Sequence, residues 1–134
     1  MSIQVGQKAR RSKTVTARDV ELYAEITGDR NPLHFDAAFA AGTRFGRLVA
    51  QGGITSGMLN ALVAMDLPGP GTVFMSQSLK YLAPTYLGDT LTAEVEVLAV
   101  KPDKPVCQIK ATITNQDGTV VLEGECWTYT LRPA

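Results

Sequence analysis

Apolar residues recur along this chain with two different periods, and the change of period divides it. In the first half the spacing is helical. Val20, Tyr23, Ala24 and Thr27 share one face, and Arg18, Glu21 and Glu25 supply the wet side. Thr16 is positioned as the N-cap, with Asp19 three residues later in a variant of the capping box. Gly28 stops this helix at the left-handed C-terminal position. Pro32 biases Asn31 away from helical dihedrals, so the chain turns there. Asp36 then caps a short helix, Ala37 to Ala41, ended by Gly42.

Between Arg47 and Asp66 no residue carries a charge. Such a length invites a transmembrane reading. Its glycines, Thr55, Ser56 and Asn60 weaken that reading, and no membrane is expected as a partner. A helix apolar on nearly all sides is instead expected to be buried on nearly all sides. Pro68-Gly69-Pro70-Gly71 ends it.

After this the period falls to two. Thr72 to Tyr81 reads as a strand, as does Lys8 to Val15 earlier in the chain. Leu91, Ala93, Val95 and Val97 alternate with Thr92, Glu94 and Glu96; Cys107, Ile109, Ala111 and Ile113 alternate with Gln108, Lys110, Thr112 and Thr114. Asp117-Gly118 signals a hairpin. A two-residue turn there sets Gln116 opposite Thr119 and Ile109 opposite Cys126, with a return strand from Thr119 to about Leu131. One buried helix followed by long antiparallel strands packs simply if the sheet curls around the helix. The expected class is α+β, a hot-dog architecture, as one domain over 1–134. A lone curled sheet keeps an exposed edge, so a homodimer that pairs two edges is expected.

Composition narrows the function. Thirteen basic and thirteen acidic residues cancel, so no global field draws the chain to nucleic acid or to an anionic membrane. The cluster Lys8, Arg10, Arg11 and Lys13 reads as a solvated surface. Residues 1–6 carry no apolar segment of signal-peptide type, and a cytoplasmic location is expected. Cys107 and Cys126 lack metal-type spacing and fall in alternating patterns, as small buried hydrophobes do; with a single histidine, no structural zinc site is expected.

That histidine carries the chemistry. Gly28-Asp29-Arg30-Asn31-Pro32-Leu33-His34 puts an imidazole five residues after a carboxylate, in a turn that breaks a helix. Asx turn chemistry explains Asp29 and Asn31 individually, but a turn needs no histidine at a fixed offset. An acid and an imidazole on one rigid turn can share a water molecule, the minimum equipment for adding or removing water by general acid–base catalysis.

The stretch from Tyr23 to Asp36 resembles the signature of the MaoC-like dehydratases, which include (R)-specific enoyl-CoA hydratases of fatty-acid and polyhydroxyalkanoate metabolism. The resemblance continues through residues 38–41, Gln51-Gly52, Gln77-Ser78-Leu79 and residues 88–95, and so spans the chain. It implies reversible hydration of a trans-2-enoyl-CoA to an (R)-3-hydroxyacyl-CoA. Asp29 and His34 fall on the catalytic pair. Gly52 falls where a backbone amide stabilises the thioester oxyanion, a role suited to a helix N-terminus. Asn31 would shape the loop or orient a catalytic side chain, and Pro32 would stiffen it. No cofactor or metal is implied, coenzyme A being part of the substrate. Two departures matter. Many relatives have His-Gly where this chain has Gln51-Gly52, and an amide cannot act as acid or base near neutrality. Asn60 stands where some relatives place a serine lining the site, and contacts either substrate or structural partners.

Two other readings use the same fold. A thioesterase would direct an acid on the central helix at the thioester carbonyl, but that helix carries none between Arg47 and Asp66. A non-catalytic acyl-thioester-binding module would not require the Asp29–His34 pair. Arg44, Lys101 and Lys104 are all available for coenzyme A phosphates, and acyl length is expected to depend on side chains around residues 60 to 87 and on the dimer partner.

Overall fold

The computed structural model describes residues 3–131; the outermost residues of the expected 1–134 domain, including the first two of the N-terminal segment, lie outside the described residues. The elements run β1 (Lys8–Thr14), α1 (Ala17–Thr27), α2 (Pro32–Phe35), α3 (Ala37–Ala41), α4 (Gly52–Met65), β2 (Thr72–Tyr81), β3 (Thr90–Val100), β4 (Val106–Thr114) and β5 (Val120–Thr130). The strands form one antiparallel sheet in the order β1-β3-β4-β5-β2. The sheet packs against α4, the α+β hot-dog arrangement expected.

The alternating rows decide which face turns inward. Leu91, Ala93, Val95 and Val97 of β3, and Cys107, Ile109, Ala111 and Ile113 of β4, are all buried. They meet Met58, Leu59, Leu62 and Val63 of α4. Both cysteines are free and buried, and burial pushes the Cys126 thiol up to about 11. The capping box of α1 forms as expected. Asp19 N–H donates to Thr16 Oγ1 (3.2 Å) and Thr16 N–H to Asp19 Oδ2 (2.9 Å). Asp36 Oδ1 caps α3 by accepting from Phe39 N–H at 3.0 Å.

Three features depart from expectation. The hairpin turn is longer than two residues: Asn115 N–H donates to Thr119 O at 2.9 Å, and Gln116, Asp117 and Gly118 form the loop. A bulge at Val121 then takes up the extra residue, so Ile109 still faces Cys126. The bulge explains why Val121 and Leu122, adjacent in sequence, are both buried. Released from pairing, Gln116 accepts from Thr90 N–H (2.9 Å) and donates to Asp89 Oδ1 (3.0 Å).

Second, α4 is not enclosed on nearly all sides within the chain. Thr55, Met58, Leu59, Leu62 and Val63 form one buried stripe, while Asn60 and Met65 are exposed. The charge-free run overstates burial because small residues such as Gly57 and Ala61 tolerate a half-open face. Among the described residues no helix is long and apolar enough to cross a membrane.

Third, the turn after Gly28 contains a one-turn helix, α2. Pro32 occupies its first position, where a missing N–H leaves nothing unpaired.

Candidate active site

Gly28, at φ 81°, ends α1 and redirects the chain. Local hydrogen bonds then shape the loop. Asp29 N–H donates to Thr27 Oγ1 (3.1 Å), Asn31 N–H to Asp29 Oδ1 (3.2 Å) and Leu33 N–H to Asn31 Oδ1 (3.0 Å). Asn31 thus caps α2 with its side chain and steadies the Asp29 carboxylate with its backbone. His34 rides on α2, its own N–H donating to Asn31 O at 2.9 Å.

The His34 ring is buried, and its Nδ1 lies 2.7 Å from the carbonyl oxygen of Val49. A carbonyl only accepts, so Nδ1 carries the hydrogen. The neutral ring therefore presents a bare Nε2. That nitrogen lies 3.7 Å from Asp29 Oδ2, whose side chain is 41% exposed. The gap is too long for a direct hydrogen bond, and both atoms are acceptors. One water can donate a hydrogen to each, which is the arrangement acid–base hydration chemistry needs.

Gly52 is the first residue of α4. Gln51, at the N-cap, supplies no side-chain cap. Among the described residues, neither Gly52 N–H nor Gly53 N–H has a protein partner outside helix geometry. Gly52 lines a cavity of about 360 Å³ together with Leu33, Arg44, Thr55, Tyr81 and Thr85. Val49 is also in the wall, so the cavity ends against the two residues adjoining His34, while Asp29 and His34 stand just outside it. Glycine at position 52 leaves room for the Tyr81 ring: a Cβ there would lie 3.1 Å from Tyr81 Cε1.

Asn60 stands apart from these residues. It is exposed on α4, outside the cavity wall, and about 12 Å along the helix from Gly52 at 1.5 Å per residue. The expectation of an amide held inside an apolar helix does not hold. Of the three cations left open by the sequence, Arg44 lines the cavity, while Lys101 and Lys104 border a separate groove beside Trp127. Two polar residues escaped notice as part of the wall. Thr55 and Thr85, both buried, join their hydroxyls at 3.1 Å. Thr85 carries no signal in the sequence, because its partner is 30 residues away.

A family model described as the MaoC like domain matches residues 2–121. The chain belongs to the MaoC-like family. This MaoC-like protein is 42% identical over 124 residues to the "(R)-specific enoyl-CoA hydratase" of Aeromonas caviae, covering 92% of each chain. It is 41% identical over 123 residues to the "3-hydroxybutyryl-CoA dehydratase" of Methylorubrum extorquens, covering 92% of this chain and 78% of that one. Among solved structures, the (R)-hydratase from A. caviae involved in PHA biosynthesis superposes with a TM-score of 0.93 at 40% identity. That match covers 97% of this chain and 98% of the other.

Proposed function

We propose that this MaoC-like protein adds water to trans-2-enoyl-CoA, giving (R)-3-hydroxyacyl-CoA, and runs the same step in reverse. The observation that carries the reading is the pairing of His34 Nε2 with Asp29 Oδ2 at 3.7 Å, with Nδ1 already committed to Val49 O. In this reading the two acceptors hold one water. As its oxygen attacks the β-carbon, one acceptor takes its proton and the C=C π electrons pass toward the thioester. A proton then returns to the α-carbon from the same face, which makes the addition syn. The charge that develops on the thioester oxygen meets the backbone amides at the start of α4, with Gly52 nearest the cavity. No cofactor enters the step, since coenzyme A belongs to the substrate.

A homodimer and a cytoplasmic location go with this reading. The dimer is supported by β2, which ends the sheet and leaves Val73 48% and Met75 58% exposed on an unpaired edge. A thioesterase is less well supported. Asp66, the acid nearest to α4, caps its far end and pairs with Arg11 at 2.6 Å.

Crotonyl-CoA tests the proposal. Loss of the conjugated enoyl-thioester absorbance without free thiol is the expected result. Release of thiol would instead mean hydrolysis, and binding with neither change a non-catalytic module. In Asp29→Asn and in His34→Ala, turnover is expected to fall by at least about a hundredfold, the usual scale for a lost acid–base group. Near-normal turnover in both would rule out the mechanism.

A further inference from the structure

We infer that Gln51 is a positioning residue, and that the short segment Val49–Gln51 sets the spacing of Asp29 and His34. The inference rests on the reading of that pair given above.

The bonds within the 27–34 loop shape it but do not fix its distance from anything else. Each joins residues two to four apart in the chain. Longer-range contacts do fix it: Arg30 reaches Glu21 Oε1 of α1 at 3.4 Å, and the others come from one segment. Val49 O accepts from His34 Nδ1 at 2.7 Å and so sets the position and tautomer of the ring. Two residues on, Gln51 Nε2 donates to Asp29 O at 3.4 Å and to Val20 O of α1 at 3.1 Å. Among the described residues, the Asp29 carbonyl has no other donor.

The segment is itself anchored. Ala50 N–H donates to Thr85 O at 2.8 Å, Val49 N–H donates to Leu33 O at 3.2 Å, and Val49 bridges antiparallel to Tyr86. One rigid stretch therefore holds the imidazole at one residue and the carboxylate-bearing peptide at another. Gly52 follows it directly.

Gln51 pays for this placement with an unpaired atom: the side chain is only 1% exposed, and its Oε1 has no partner. Both amide hydrogens have a carbonyl within reach, and the nitrogen end joins two segments, α1 at Val20 and the loop at Asp29. A buried amide that only filled space would be replaceable by an apolar side chain of equal length, with no unpaired acceptor. Holding the Asp29 peptide is the task that such a replacement could not perform.

Gln51→Met keeps the length and removes both donors. The expected result is a fall in kcat on crotonyl-CoA of at least about tenfold with KM within about twofold, since a small misplacement of a catalytic group is felt in the chemical step. Added to Asp29→Asn, the same change is expected to cost less than about twofold more, because Gln51 acts through Asp29. Wild-type kcat in a folded Gln51→Met, or losses that multiply in the double variant, would overturn the inference. Should Gln51→Met fail to fold, Gln51→His retains a ring N–H for one of the two carbonyls. A loss of kcat of about three- to tenfold at unchanged KM is expected there. Wild-type kcat, or a loss carried by KM alone, would overturn the inference. Near-normal turnover in Asp29→Asn and His34→Ala would remove the pair and this inference together. A strong effect of those two with none from Gln51 would remove the inference alone.

Discussion

The inward rows of β3 and β4 and the loop from Thr27 to His34 both hold their side chains in place, by different physics. In the rows, Val95, Val97, Ile109 and Ile113 are each 0% exposed and face α4 through apolar contact alone. Burial is non-directional and roughly proportional to area, so many residues share the work and each loss is graded. In the loop, a carboxylate that is 41% exposed is placed by a handful of hydrogen bonds. Those bonds are directional and few, so one loss moves the group that reacts while most of the fold stands. The core buys stability and the loop position, and the two are separable by mutation.

Ile109→Ala is the largest expected effect on stability. Loss of the buried side chain and the cavity left behind should cost about 2–5 kcal/mol in urea unfolding. Turnover per folded molecule should stay near wild type; a large fall in it would mean that core and loop are not independent. The reverse pattern is expected of Asp29→Asn and His34→Ala. A hundredfold loss of kcat corresponds to about 2.7 kcal/mol of barrier, with little change in the unfolding midpoint.

Gly53→Ala sharpens the boundary between the regions, because Tyr23 of α1 crosses the start of α4 there. An added Cβ would lie 1.6 Å from Tyr23 Oη, so the ring must leave its place. A destabilisation of about 1–3 kcal/mol is expected, and a loss of kcat beyond that of the folded fraction would tie α1 packing to the site.

The smallest effect is Asp19→Asn in the capping box. Burial tends to raise the Asp19 carboxyl. Hydrogen bonds from Thr16 and the Lys13 ammonium at 3.0 Å outweigh it and hold the group below its ordinary 3.8. A depressed pKa stabilises the fold above the unfolded value, and that contribution is lost as pH falls through the folded value. The midpoint difference between wild type and Asp19→Asn should therefore be present at neutral pH and shrink in acid below 3.8. A difference independent of pH would assign the effect to something other than the charge.

How legible each region was follows from the same contrast. Thr16, Gly28 and Asp36 act within their own helices, so their caps could be read directly from residue type and offset. The β3 and β4 rows were legible because alternation needs no knowledge of the partner. Asp117-Gly118 marked the hairpin but not its length, since the turn and the bulge at Val121 compensate for each other across two strands. The 29–34 spacing marked the acid and the imidazole. It could not show that Nδ1 meets Val49 or that Gln51 holds the Asp29 peptide, because both partners come from a distant part of the chain. Asn60 was misplaced for the same reason: a run of apolar neighbours does not say which side of α4 the sheet leaves open.

The sequence by itself determined the elements other than α2, the inward faces of β3 and β4, the class of fold and the two residue types that do acid–base work, because caps and periodicity act over a few residues. Tertiary structure alone decided the 3.7 Å gap, the ring tautomer and the tie through Gln51. Those depend on directional bonds between segments brought together only when the sheet closes on α4, and no local pattern encodes a distance across the fold.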